Sequence, residues 1–174
     1  MALAEHLSSE IYLNDRHVHF EVAPHAGAFT AVSEARALGM PRDEVLKAVV
    51  LRTSEDFVVA VVPASKRLDM TMVADALGDP RVRLATENEI VTRFPGYELG
   101  ALPPLPGLLG VRAYIDPGVF DHARIAFADG RQTESFVVDP HELFWGEDAI
   151  VCPIAWEPGT WARWDREGPR FAVE

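Results

Sequence analysis

The chain has 174 residues, 48% of them hydrophobic, which is enough for one sizeable core and close to single-domain size. Sixteen basic against 27 acidic side chains give a net charge of −11, which excludes a protein that coats nucleic acid nonspecifically, since phosphate binding draws on accumulated Lys and Arg. A single cysteine, Cys152, excludes an internal disulfide and a multi-cysteine metal cluster, and the absence of a long apolar run or signal-like start leads us to expect a soluble, cytoplasmic protein with no membrane partner.

In chain order, residues 17–22 alternate polar and apolar and predict a half-buried strand. Thr30 is placed to cap a helix through Leu38, with Gly39 to end it. Residues 47–52 and 57–62 are β-branched runs around a polar turn, which predicts a hairpin of two largely buried strands. Asp69 to Leu77 reads as an amphipathic helix closed by Gly78. A short strand at 82–85 leads into Thr86-Glu-Asn-Glu, which starts a helix ending near Phe94. Residues 95–107 are too rich in Pro and Gly for helix or central strand. Strands are expected at 111–115, 124–128, 134–138 and 149–154, with a helical turn at Pro140 to Phe144. Short helices between strands and hairpins predict an α/β or α+β fold with a mixed sheet, in one domain over 1–155 followed by a Trp-bearing tail, 156–174.

Lys47 stands out as one of two lysines, set where the charged stretch Arg42-Asp-Glu44 meets an apolar strand. A buried ammonium needs a carboxylate, a cleft or a lowered pKa. Two readings stay open: an ion pair with Glu44 or Asp43 (or a stem that snorkels to solvent), and a cation aimed into a pocket to hold an anionic or carbonyl group. In the loop at 96–107, Gly100 permits close backbone approach while Pro103, Pro104 and Pro106 fix the path, which suits N–H groups presented to a carbonyl oxygen. His17, His19 and Glu21 fall on one face of the first strand, but no third ligand follows at metal-site spacing, so a solvated face with no metal is expected. No P-loop, dinucleotide fingerprint or Gly-x-Ser-x-Gly is present, and no cofactor is expected.

Taken in order, several pieces resemble the YbaK and prolyl-tRNA-synthetase editing-domain family of aminoacyl-tRNA deacylases. They are His25 with Phe29-Thr30-Ala, Glu44-Val-Leu-Lys47-Ala-Val-Val-Leu, Val59-Ala-Val-Val-Pro-Ala with Arg67-Leu-Asp-Met, Leu84-Ala-Thr-Glu, Gly100-Ala-Leu-Pro-Pro104, Tyr114-Ile-Asp116, and Ala128-Asp-Gly130 with Ser135. The resemblance covers about residues 17–145. It implies a compact domain with a curved, mostly antiparallel mixed sheet and short helices, acting in trans to hydrolyse the ester of mischarged tRNA. Lys47 would orient the terminal adenosine and the ester, with N–H groups at Gly100 and Ala101 holding the carbonyl. His25, Thr30, Ala48, Leu102, Pro103, Pro104, Gly130 and Ser135 would line the substrate pocket. Ala48 stands where relatives often have Thr or Asn, His25 near a position that is Tyr in some, Ser135 near an acidic position, and Leu105-Pro106 where Phe-Gly is commoner; these departures bear on which amino acid is removed.

The partners implied are the acceptor end of mischarged tRNA and an aminoacyl-tRNA synthetase. Despite the acidic total, residues 36–83 carry 8 basic and 7 acidic side chains, so Arg52, Lys66, Arg67, Arg81 and Arg83 are candidates for tRNA contact. A noncatalytic tRNA- or synthetase-binding module is the alternative, and a Schiff-base lyase using Lys47 ranks last because no second acid–base partner is evident.

Overall fold

The computed structural model describes residues 8–158. Its elements are α1 (Ser9–Asp15), β1 (Phe20–Pro24), α2 (Ala31–Leu38), β2 (Leu46–Arg52), β3 (Phe57–Pro63), β4 (Arg67–Leu68), α3 (Met70–Leu77), β5 (Arg83–Leu84), α4 (Glu87–Arg93), α5 (Pro106–Leu109), β6 (Ala113–Ile115), β7 (Ile125–Ala128), β8 (Glu134–Val138), α6 (Pro140–Phe144), β9 (Ala149–Val151) and β10 (Ala155–Trp156), with 3-10 turns at Arg42–Glu44 and Pro117–Phe120.

The helices start and stop on local chemistry. Thr30 and Thr86 each accept from the backbone three residues on in a capping box, Asp69 accepts from Thr71 and Met72, and Gly39 and Gly78 end α2 and α3 in the left-handed region. The predicted 47–52/57–62 hairpin is present as β2 and β3, paired antiparallel from Leu46↔Pro63 to Arg52↔Phe57. Around it forms a five-stranded sheet in the order β5-β2-β3-β6-β9, antiparallel on one side and parallel on the other. A second sheet, β1-β8-β7, is wholly antiparallel, and β10 pairs with β4. The class is thus mixed α/β with mostly antiparallel sheets and short helices, the strands divided among three sheets.

The two larger sheets enclose the main core, where Leu46, Val50, Val59, Val61 and Ile115 meet Ile125, Phe127, Phe136 and Val138. On the outer side of the five-stranded sheet, Leu51, Ala60 and Val62 pack with Val73 of α3 and with Ile154. A smaller cluster joins α2, through Ala31 and Ala35, to Val45, Ala64 and Ala126.

Several boundaries differ from the expectation. The first strand begins at Phe20, because His17 has φ +58 and turns the chain out of α1. His17 and His19 therefore do not share a strand face with Glu21; His19 bonds Glu142 and Glu21 pairs with Arg124. Pro106–Leu109 is a short helix with proline in its first turn, inside the stretch expected to be irregular. The strand expected over 149–154 ends at Val151, ahead of Pro153, and a separate strand, β10, follows at Ala155–Trp156 in another sheet. The tail from 159, with Trp161, Trp164 and Phe171, lies outside the described residues. Among the described residues no helix is long and apolar enough to cross a membrane.

Candidate active site

Lys47 is the second residue of β2, and its neighbours fix where it points. Leu46, Ala48 and Val50 pack into the core between the sheets, so by strand alternation Val45, Lys47 and Val49 turn to the opposite face. The same rule applies to the other sheet: Ile125, Phe127, Phe136 and Val138 fill the core, which turns Ala126, Ala128, Ser135 and Val137 outward. Val45 bridges Ala126 in parallel, so Lys47 and Ala128, each two residues further on, follow on the same side, and Ala128 is registered with Ser135. Lys47, Ala128 and Ser135 thus share one face, to which α2 packs through Ala31 and Ala35.

The Lys47 ammonium donates to the Lys66 carbonyl at 2.8 Å. The ion pair considered with Asp43 or Glu44 does not form, because both carboxylates lie against His122, at 2.9 and 3.5 Å. Lys47 has no carboxylate partner among the described residues. Burial, and then the nearby charge of Arg67, hold its pKa below the ordinary lysine value. Two cations therefore lie close together without a counter-ion, since Arg67 likewise makes no ion pair among the described residues.

At the other end of this face, His25 Nε2 lies 2.8 Å from Ser135 Oγ, and Ser135 donates to Glu34 Oε1 at 2.5 Å. His25 Nδ1 lies 2.7 Å from the Ala26 carbonyl oxygen. Glu34 is 3% exposed; burial raises its pKa and the charge of Asp129 adds to this, opposed by the Ser135 hydrogen bond and by His25. Sequence reasoning missed Glu34, although Ala31, Glu34, Ala35 and Leu38 recur at helical spacing and mark it as the acid on the packed face of α2.

The loop at 98–101 is tied to the turn between β7 and β8. Glu98 donates its N–H to Gly130 O and accepts from Gln132 N at 2.6 Å, while the Gln132 side chain donates to Leu99 O. Gln132 O in turn accepts from Ala28, and Thr133 O from His25 N, so the stretch after β1 is held against the same turn. Gly100 has φ +79 and lies so close to Phe29 that a Cβ would penetrate the Phe29 carbonyl oxygen. Gly130, at φ +114, packs on the Tyr97 ring, where a Cβ would come within 2.8 Å. Both positions require glycine on two counts, conformation and space.

His25, Thr30, Gly100, Gly130 and Ser135 are thus gathered by one set of backbone and side-chain contacts, with Lys47 on the same sheet face. Other expectations need correction. Ala101 donates its N–H to Glu98 O at 3.0 Å, so it has no amide proton to offer a substrate; the Gly100 N–H has no acceptor among the described residues. Ala48 and Leu102 turn into the main core, away from the face of Lys47, and Pro103 and Pro104 are buried. Thr30 uses its hydroxyl to cap α2. Among the tRNA candidates, the Lys66 ammonium is held by the buried Asp116 at 2.8 Å, and Arg83 is bound to Glu89 through two nitrogens. Arg52 covers the Phe57 ring and, with Arg83, sits at the far end of β2, five residues and roughly 17 Å along the strand from Lys47. Arg67 is left as the guanidinium beside Lys47.

The sequence of residues 25–144 matches the family model of the aminoacyl-tRNA editing domain. The chain belongs to this family. The chain is 35% identical over 101 residues to a proline–tRNA ligase of Trichlorobacter lovleyi and 31% identical over 90 residues to one of Thermosipho africanus, covering 58% and 52% of this chain. In each case it spans 16% of the ligase. Two solved structures share the editing-domain fold: a hypothetical protein with TM-score 0.76 and 24% identity over 84% of this chain and 98% of that one, and a proposed trans-editing enzyme for prolyl tRNA synthetase with TM-score 0.71 and 24% identity over 83% and 92%.

Proposed function

We propose that the chain hydrolyses the ester bond of mischarged tRNA, acting in trans on the acceptor end. The observation that carries this reading is Lys47: a half-buried ammonium whose one hydrogen-bond partner among the described residues is a carbonyl, within reach of the charge of a second cation, Arg67. Such a pair is electrostatically incomplete until an anion arrives. The terminal phosphates and ribose oxygens of an acceptor end supply that complement, and family membership gives the substrate class.

The chemistry needs little from the protein beyond placement. Water adds to the ester carbonyl carbon, negative charge develops on the carbonyl oxygen, and the bond to the ribose oxygen breaks as that oxygen takes up a proton. Lys47 holds the terminal adenosine and ester in line, and the Gly100 N–H, without an acceptor among the described residues and fixed by the Phe29 contact and the Glu98 and Gln132 bonds, donates to the carbonyl oxygen as its charge grows. The proton lost by the water leaves through groups of the substrate itself. A prolyl-tRNA synthetase is the partner best supported, given the proline–tRNA ligases to which part of this chain is similar.

The test is release of amino acid from Ala-, Ser-, Thr- and Cys-charged tRNAs by the purified chain. Turnover on one or two of them supports the deacylase and names its target. Tight tRNA binding without turnover on any would replace it by a noncatalytic binding module.

A further inference from the structure

Glu34 belongs to no role assigned so far, yet it is the most deeply buried acid on the face that carries Lys47 and Ser135. Counting protons along its contacts constrains its state. The Ala26 carbonyl can only accept, so His25 Nδ1 carries a proton. Two more hydrogen bonds follow, His25 Nε2 to Ser135 Oγ and Ser135 Oγ to Glu34 Oε1, and each needs one proton between its heavy atoms. Ser135 supplies one; the other must be titratable. Either Nε2 is protonated and Glu34 ionised, or Nε2 is bare and Glu34 carries the proton with the serine hydroxyl turned toward the ring. The two arrangements interconvert by moving one proton along each bond, and net charge over the three groups is the same in both.

We propose that Glu34 is a positioning residue of the proposed deacylase site, holding the His25 ring through the Ser135 hydroxyl by one titratable proton shared along the chain. When that proton is lost, Ser135 can donate to only one neighbour; its hydroxyl stays with the ionised Glu34, and the His25 ring keeps only its Nδ1 bond to the Ala26 carbonyl. The amino-acid side of the pocket then softens as pH rises. The other charges near the chain are Asp129, whose negative charge favours keeping the proton, and Arg131 and Glu134, which pair with each other at 3.1 Å, Arg131 also meeting Asp129. Burial of Glu34 acts in the same direction as Asp129, placing its titration above the ordinary carboxylate range.

This inference rests on the deacylase reading for its consequence but not for its first test. In the full chain labelled with 13C, the Glu34 carboxyl and the His25 ring are followed by NMR from pH 4 to 9. A shared proton makes both report one common transition, because interacting groups titrate as a unit. In Ser135→Ala the link is cut and the two transitions separate. Independent transitions in the wild type would overturn the proposal, whatever the enzyme does.

The second test uses Glu34→Gln, whose amide can donate to Ser135 while Ser135 donates to a neutral ring, completing every bond without a titratable proton. Discrimination between two mischarged tRNAs, taken as the ratio of kcat/KM values, should fall several-fold with rising pH in the wild type and stay level in Glu34→Gln. Equal pH profiles in the two proteins would overturn it. Failure of the deacylase reading shows differently, as no release by any variant while the coupled transition persists.

Discussion

Lys66 and Lys47 lie close together in the fold, Lys47 bonding the carbonyl of Lys66 itself, yet their ammonium groups meet opposite surroundings. Lys66 sits 2.8 Å from Asp116, a side chain 2% exposed that also accepts from the Gly118 N–H. Lys47 meets a carbonyl and feels the charge of Arg67. A cation matched to a buried carboxylate holds structure together, since removing either member strands the other. One left with a neutral acceptor and a like charge adds nothing comparable to stability. The contrast gives Lys66 a structural role and leaves Lys47 as the lysine on which the proposed function rests.

Breaking the comparison at Lys66 should have the largest effect on folding. Lys66→Ala leaves Asp116 buried without a cation and should cost about 3 kcal/mol in urea unfolding, the usual scale for breaking a buried pair. Gly100→Ala forces a Cβ into the Phe29 carbonyl at φ +79; it should cost about 1–3 kcal/mol and reduce amino-acid release more than the lost folded fraction explains, which parallel unfolding and turnover measurements can separate.

The pH dependence of stability sharpens the contrast at Lys47. Its folded-state pKa lies below the unfolded value near 10.5, so the charged native form is penalised at neutral pH, and the penalty fades as pH rises through the folded value toward the unfolded one. Lys47→Met should therefore be at least as stable as the wild type at pH 7, with the gap closing in alkaline solution. A gap that widened with pH would mean that Lys47 is held by an unseen anion.

Smaller effects are expected among the arginines. Arg67→Ala should reduce the salt slope of tRNA binding by roughly one, whereas Arg83→Ala should leave it unchanged. The reason is that Arg83 is already bound to Glu89, whose carboxyl that contact pulls down to about 2, first by the hydrogen bond and then with help from Thr86.

What could be read from the chain beforehand follows a physical line. The β2–β3 hairpin and the capped helices α2, α3 and α4 were legible because their signals are local: β-branched runs, a threonine or aspartate cap, a glycine stop. The parallel pairing of β3 with β6 and β6 with β9 was not, since its partners are tens of residues apart and no local signal specifies them. At the site, Lys47 and Gly100 were visible as anomalies, a charge in an apolar run and a glycine in a proline-rich loop. The family resemblance puts Ala48 in the pocket, but strand alternation sends it to the face opposite Lys47. Helical spacing marks Glu34 as the acid on the packed face of α2, but its partner is not legible: Ser135 is 101 positions away, and only the packing of α2 against the sheet brings the two together.

The measurement that tests the account most directly is amino-acid release from the panel of mischarged tRNAs by wild type, Lys47→Ala and Lys66→Ala, normalised to folded protein. The account predicts that Lys47→Ala loses about a hundredfold or more of kcat/KM while folding as well as the wild type, and that Lys66→Ala, once corrected for unfolding, retains most of it. Undiminished turnover in Lys47→Ala, or equal losses in the two variants, would contradict the division of roles between the two lysines.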